Sequence, residues 1–197
     1  MSLIENLKPS KSLAVFQLNF TKGSLKAYVD DNGILRIGIN HANQDRFPFS
    51  LESIWTQDQA IRAWYDDITW QTQIVNKWLS RDLSQYQFDM LVDLMCDDIM
   101  MKGARPVTLF HLVNMGNFEL ASEQFLRWIV NEDDVSSLAR IRRAFARRAY
   151  FRGFEWRHYA KCPINYGDYI PLNDILSFEG YRVVPNHKVG FIIERIA

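Results

Sequence analysis

Apolar residues recur along most of this chain at helical spacing, with short strand-like runs near both ends. Leu13, Phe16, Leu18 and Phe20 predict a short amphipathic helix over residues 12–20. Residues 25–29 and 34–39 predict two strands. Between them stands Asp30-Asp31-Asn32-Gly33, a strong hairpin signal because Asn and Gly both tolerate positive φ. Residues 40–51, with Pro48, read as a loop. From Thr56 the helical period returns. Ile61, Trp64, Ile68, Ile74, Val75 and Trp78 predict one long helix reaching Leu79. Thr56 and Gln59 have the S/T-x-x-E/Q spacing of a capping box.

The second half continues in helices. Phe88, Leu91, Val92, Met95 and Ile99 predict a buried stripe over residues 84–101, stopped by Gly103 and Pro106. Met95, Met100 and Met101 read as core. Residues 108–115, closed by Gly116-Asn117, and residues 119–130 predict two more helices. Residues 135–150 predict a basic amphipathic helix with Leu138, Ile141, Phe145 and Ala149 on one face. After Ala160 the texture changes, punctuated by Pro163, Gly167, Pro171 and Gly180. Residues 181–184 and 189–193 predict a hairpin around Pro185-Asn186-His187-Lys188. The fold class is therefore α+β: a small N-terminal antiparallel sheet, a helical bundle, and a C-terminal extension containing a β-hairpin.

Composition narrows the function classes. The 197 residues are 48% hydrophobic and 14% aromatic, which supports a packed core and excludes a disordered chain. The formal net charge is zero, so overall charge selects no partner. Locally it is uneven: residues 140–161 hold eight basic residues against one acid, Glu155. Cys96 and Cys162 have no metal-ligand spacing and are too few for a disulfide framework. His111, His158 and His187 show no ligand spacing either, so neither a metal nor a cofactor is predicted. Residues 1–10 lack the apolar core of a signal peptide, and no run approaches eighteen apolar residues. The expectation is cytoplasmic synthesis without a membrane span.

Several separated motifs resemble the phage-type lysozymes, the muramidases of glycoside hydrolase family 24. Leu25-Lys26-Ala27-Tyr28, Asp30, Gly33 and Ile37-Gly38-Ile39-Asn40-His41 are similar to the family's active-site hairpin, LxAYxDxxGxxTIGYGH. Thr56-Gln57-Asp58-Gln59-Ala60 with Asp67-Ile68 resembles the start of its connecting helix. Gln87 to Val92 resembles its QFDALV core helix, and Thr108-Leu109 through Phe125-Leu126-Arg127-Trp128 its TLL…FLRW run. The arginine-rich helix resembles the family's closing helix. The resemblance covers roughly residues 12–155, and implies a lysozyme-like domain over 1–157 followed by an extension over 158–197 that serves interaction or docking.

The same resemblance implies a degenerate active site. Cleaving a glycosidic bond in this way needs a protonated carboxyl to serve the leaving oxygen and a carboxylate to steer water or balance positive charge. The family's acid lies nine residues before the hairpin Asp, and a Thr lies six residues after it. Here Asp30 keeps its place, but the acid position is Thr21 and the Thr position is Arg36. Asn40 replaces the usual Gly before the His. His41 is implied to be structural, paired with Asp67. Trp55, Trp64, Trp70 and Trp78 read as packing, with a retained sugar platform as the other use of such rings.

These features point to a catalytically inactive lysozyme-like protein of phage or prophage origin, reused as a structural, partner-binding or cell-wall-binding component. No catalytic residues are expected. Arg142, Arg143, Arg147 and Arg148 are candidate binding residues, as is Phe191 in the apolar C-terminal hairpin. A protein partner through the extension and a peptidoglycan fragment are the expected ligands. A virion or phage-tail-like particle is the expected setting. One alternative is a muramidase or transglycosylase with a non-standard acid, such as Glu52 or Asp31 reaching in. A second is nucleic-acid binding through the arginine-rich helix, which no recognised motif supports.

Overall fold

The computed structural model describes residues 7–30, 32–43, 47–97, 105–128, 136–159, 181–186 and 190–195. Contacts divide the chain into two compact units, Met1–Arg105 and Pro106–Ala197.

The first unit opens with α1, Lys11–Leu18, whose N-cap Ser10 accepts a hydrogen bond from the Ser12 amide. Leu13 and Phe16 are fully buried, as the spacing predicts, but Leu18 is 42% exposed. The buried face runs through Leu13, Ala14, Phe16 and Gln17 instead. The segment before α1 is laced down by three helices. Asn76 Nδ2 donates to the Leu7 carbonyl (3.0 Å), Gln85 Nε2 to Lys8 (2.9 Å) and Tyr65 Oη to Pro9 (3.3 Å). The Ser10 amide and hydroxyl both donate to Asp89.

Strands β1, Gly23–Val29, and β2, Leu35–Ile39, pair antiparallel, and β2 then pairs with a two-residue β3, His41–Ala42. This last strand falls within the predicted loop, for two residues are too few to show an alternating pattern. On the other side of β1, Lys26 bridges Ile54. The β1–β2 turn differs from the expected one. Gly33 alone takes positive φ (76°) among its described residues, and its amide donates to the Asp30 carbonyl at 2.9 Å. Asn32 stays out of the left-handed region.

Helix α2, Gln57–Asp67, begins with the predicted capping box. The predicted single long helix is instead two, because α3, Thr69–Trp78, starts after a break at Ile68 (φ −98°, ψ 7°). The Thr69 and Thr72 hydroxyls donate back to the Tyr65 and Ile68 carbonyls, at 2.8 Å each. Such back-bonding bends helices, and apolar periodicity alone does not report it. Helix α4, Gln85–Met95, lies at the centre of the core: each residue from Gln87 to Met95 is buried. The remainder of the predicted 84–101 helix, with Ile99, Met100 and Met101, lies outside the described residues.

In the second unit, Pro106 occupies the N-cap position of α5, Val107–Asn114. Then come α6, Phe118–Gln124, a 3₁₀ turn at Phe125–Trp128, and α7, Ser136–Phe151. Ile141 and Phe145 are buried to 0% and 1% exposure, and Ala149 is also buried. Leu138 falls outside the described side chains. A second 3₁₀ turn spans Arg157–Tyr159. Strands β4, Tyr181–Asn186, and β5, Gly190–Arg195, form a two-stranded antiparallel hairpin. Pro185 and Asn186, expected in the turn, belong to β4 and pair with Phe191 and Gly190.

Candidate active site

Asp30 directly follows β1, and both oxygens of its carboxylate accept hydrogen bonds. Oδ1 accepts from the Asn32 and Ile34 amides at 2.9 Å each. These two bonds close the turn, so Asp30 has structural work independent of any catalysis. Oδ2 accepts from Arg36 Nε at 2.5 Å. The Arg36 guanidinium also donates through Nη1 to the Asn40 carbonyl at 3.0 Å. Asn40 takes positive φ (61°), a conformation Asn tolerates better than most non-glycine residues. The bond from Arg36, then the Ile34 amide, hold the Asp30 carboxyl below the usual carboxylate range. It is held as an anion in an ion pair with Arg36.

Thr21 lies just beyond α1. Its amide and its hydroxyl both donate to the Gln17 carbonyl at 2.9 Å. Gln17 is itself fixed: Trp64 Nε1 donates to its Oε1 (2.7 Å), and its Nε2 donates to Asp93 (3.0 Å). The hydroxyl proton at the acid position is thus committed to a backbone carbonyl.

The β1–β2 register brings Arg36 opposite Tyr28. Lys22 Nζ sits 4.1 Å from the centroid of the Tyr28 ring, and the Tyr28 hydroxyl donates to the Lys22 carbonyl at 3.0 Å. Burial raises the Tyr28 phenol pKa, while the Arg36 charge pulls it down and the Asp30 charge pushes it up. Sequence reasoning missed Lys22 as part of this group. Its placement depends on an irregularity in strand register between Ser24 and Tyr28, which spacing does not encode.

His41 is buried, with Nδ1 2.9 Å from one oxygen of Asp67 and 3.0 Å from the other. An ionised carboxylate can only accept, so the proton lies on Nδ1. Burial raises the Asp67 carboxyl, and the His41 bond offsets part of that rise. Trp55, Phe49 and Phe47 surround the imidazole at ring-centroid distances of 5.3, 5.8 and 5.9 Å. Trp64 is buried in the core, while Trp70 is 53% exposed.

The arginine-rich helix is not a solvated basic face. Arg142 and Arg147 are 3% and 2% exposed. Arg148 pairs with Glu123 through Nε (2.8 Å) and Nη2 (2.6 Å), and Arg152 with Glu119 at 2.8 Å. Arg143 is half-buried. Of the four candidate arginines, two are thus enclosed and a third is in an ion pair, while Arg140 on the same helix is exposed. Phe191 lies on β5. Among the described residues, no three His, Cys, Asp or Glu side chains gather where they could hold a metal ion, and no helix is long and apolar enough to cross a membrane.

Known proteins share this arrangement of elements. The chain is similar to the endolysin of Bacillus phage B103, at 32% identity over 92 residues, covering 47% of this chain and 34% of that one. It is similar to the endolysin of Salmonella phage P22 at 27% identity over 105 residues, covering 53% of this chain and 71% of that one. Thus the match spans only about a third of the B103 endolysin. Among solved structures, an endolysin from Escherichia coli O157:H7 phage FAHEc1 superposes with a TM-score of 0.63 at 23% identity, covering 76% of this chain and 96% of that one. A mutant of P22 lysozyme gives 0.62 at 21%, covering 74% and 99%. The muramidase domain of SpmX from Asticaccaulis excentricus gives 0.57 at 21%, covering 73% and 97%. Residues 19–145, which include Thr21, the Asp30 hairpin and most of α7, match the family model described as phage lysozyme, and the chain belongs to that family.

Proposed function

We propose that this member of the phage lysozyme family is catalytically silent and serves as a binding or structural component of phage or prophage origin. The observation that carries the reading is the Arg36 guanidinium bonded to the Asp30 carboxylate, at the position where the chemistry needs a small hydroxyl. Thr21 at the acid position supports it, because an alcohol is far too weak an acid to protonate a departing sugar, and this one donates to the Gln17 carbonyl. General acid catalysis is typically worth about 10²–10⁴ in rate. Loss of the acid together with neutralisation of the remaining carboxylate leaves hydrolysis near background. Asp30 persists in this reading because it closes the hairpin turn.

Peptidoglycan zymography of the purified chain tests this, with no clearing zone expected. Clearing that vanishes in Asp30→Ala would establish an enzyme with an unconventional acid. The double variant Thr21→Glu with Arg36→Thr is expected to recover measurable clearing, since it returns both missing groups to the scaffold.

The reading extends to residues 158–197 as a docking element for a protein partner in a virion or phage-tail-like particle. Its support is the β4–β5 hairpin, two-stranded among the described residues. An isolated two-stranded ribbon is marginally stable in water, and an open strand edge is a template for another chain.

A further inference from the structure

We infer that the outer face of α1 and β1 is a docking surface for an anionic phospholipid bilayer, and that the cavity between α1, β1 and α2 receives the end of one acyl chain. This goes beyond the silent-site reading and is independent of it, because none of the residues involved takes part in the Asp30–Arg36 pair.

Three observations carry it. First, the charge of this stretch has one sign. Residues 7–29 hold four lysines and neither Asp nor Glu. Lys8, Lys11, Lys22 and Lys26 are all exposed. On the neighbouring α2, the exposed acid Asp58 is offset by the exposed base Arg62. Second, apolar side chains between these lysines face water. Lys11, Val15 and Leu18 follow at helical spacing and share one face of α1, opposite the buried Leu13, Ala14, Phe16 and Gln17. Val15 is 48% exposed, Leu18 42% and Leu25 on β1 40%. Ile54, bridged to Lys26, is 73% exposed. Lysine stems lie along such apolar surface while their ammonium groups reach lipid phosphates, and basic residues beside protruding apolar ones bind the bilayer interface. Third, a cavity of about 340 Å³ opens on this face within the first unit. Leu18, Gly23, Leu25, Ile39, Ala60 and Ile61 are among its nine lining residues, and none of the nine is charged. That volume falls in the range of ligand sites. Leu18 Cδ2 packs directly against Gly23, so the lip of the cavity is a side chain able to swing rather than backbone. Lys22 precedes Gly23 and Lys26 follows Leu25, so two lysines start from the cavity's rim. An uncharged aliphatic cavity rimmed by lysines matches an amphiphile, hydrocarbon inward and anionic headgroup at the edge. A purely ionic partner, such as an acidic protein segment, would use the lysines and leave the cavity idle.

The test is co-sedimentation of the intact chain with lipid vesicles at low salt. Vesicles of phosphatidylcholine are compared with vesicles of phosphatidylglycerol and phosphatidylcholine in equal parts, and soluble polyglutamate supplies negative charge without hydrocarbon. The chain is expected to bind the anionic vesicles, and to bind the neutral vesicles and polyglutamate at least about tenfold more weakly. Each lysine brought to an anionic surface raises binding about fivefold, so the triple variant Lys11→Gln, Lys22→Gln, Lys26→Gln is expected to weaken it about a hundredfold. Leu18→Gln with Leu25→Gln is expected to weaken it about tenfold while leaving its salt dependence in place. All five positions are exposed, so both variants are expected to melt as the wild type does. Equal binding to neutral and anionic vesicles overturns the inference, as does binding that survives the lysine variant. A leucine variant that binds as the wild type does, or polyglutamate bound as tightly as the anionic vesicles, overturns it in favour of an acidic polymer. Absence of binding to either kind of vesicle overturns it outright.

Discussion

Asp89 has no solvent-exposed surface, and its partners are Ser10 and Gln85. Burial raises its carboxyl pKa, and the bonds from Ser10 and Gln85 offset part of that rise. The folded chain therefore binds the proton more tightly than the unfolded chain does. Above the ordinary carboxylate range, near pH 4, this group costs stability as pH rises through its folded value. Asp89→Asn keeps the geometry: its oxygen can accept from the Ser10 amide and Gln85, and its amide can donate to the Ser10 hydroxyl. It is expected to match or exceed wild-type stability at neutral pH and to flatten the loss above pH 4. Asp89→Ala leaves the Ser10 amide unpaired and is expected to cost about 1–3 kcal/mol. Urea unfolding across a pH series separates the two variants. At this scale the sequence was informative about identity more than geometry. Resemblance to a family motif brought Thr21, Asp30 and Arg36 forward as a group. The bonds that neutralise Asp30 depend on Asn40 accepting positive φ and on a strand register with an irregularity, neither of which has a spacing signature.

Elements with strong local signals formed where their residues predict. The Thr56–Gln59 box closes in both directions, with bonds of 2.8 and 3.2 Å. Thr56→Ala is expected to cost about 1 kcal/mol in chemical denaturation, the usual worth of an N-cap side chain. Gly38 is a sharper case. It takes φ +63°, and a Cβ there would lie 3.2 Å from the Ala60 Cβ and 3.3 Å from the Trp55 ring. Gly38→Ala is expected to cost more than about 1 kcal/mol, from left-handed strain and from displacing Trp55. A variant as stable as wild type would show that α2 and the Trp55 ring yield easily. The break at Ile68 was not legible, because Ile61, Trp64, Ile68 and Val75 keep helical phase across it. Its agents are the Thr69 and Thr72 hydroxyls, whose choice between solvent and backbone is settled by packing.

The whole molecule divides between Arg105 and Pro106, inside the stretch that resemblance assigns to one lysozyme-like domain. Residues 84–106 supplied only a helix pattern and its stop signals, and apolar periodicity says nothing of where contacts become sparse. The family match ends at residue 145, before the β4–β5 hairpin begins. Deletion of residues 160–197 is therefore expected to leave the helical circular-dichroism signal and the principal melting transition in place. It is also expected to abolish co-purification with a specific particle component. Retention of that component by the shortened chain would remove the docking assignment. The lacing of Leu7, Lys8, Pro9 and Ser10 onto α2, α3 and α4 has a mechanical corollary. A pull applied at the chain's beginning does not peel α1 away one bond at a time. It loads several side-chain tethers at once and spreads the force over three helices.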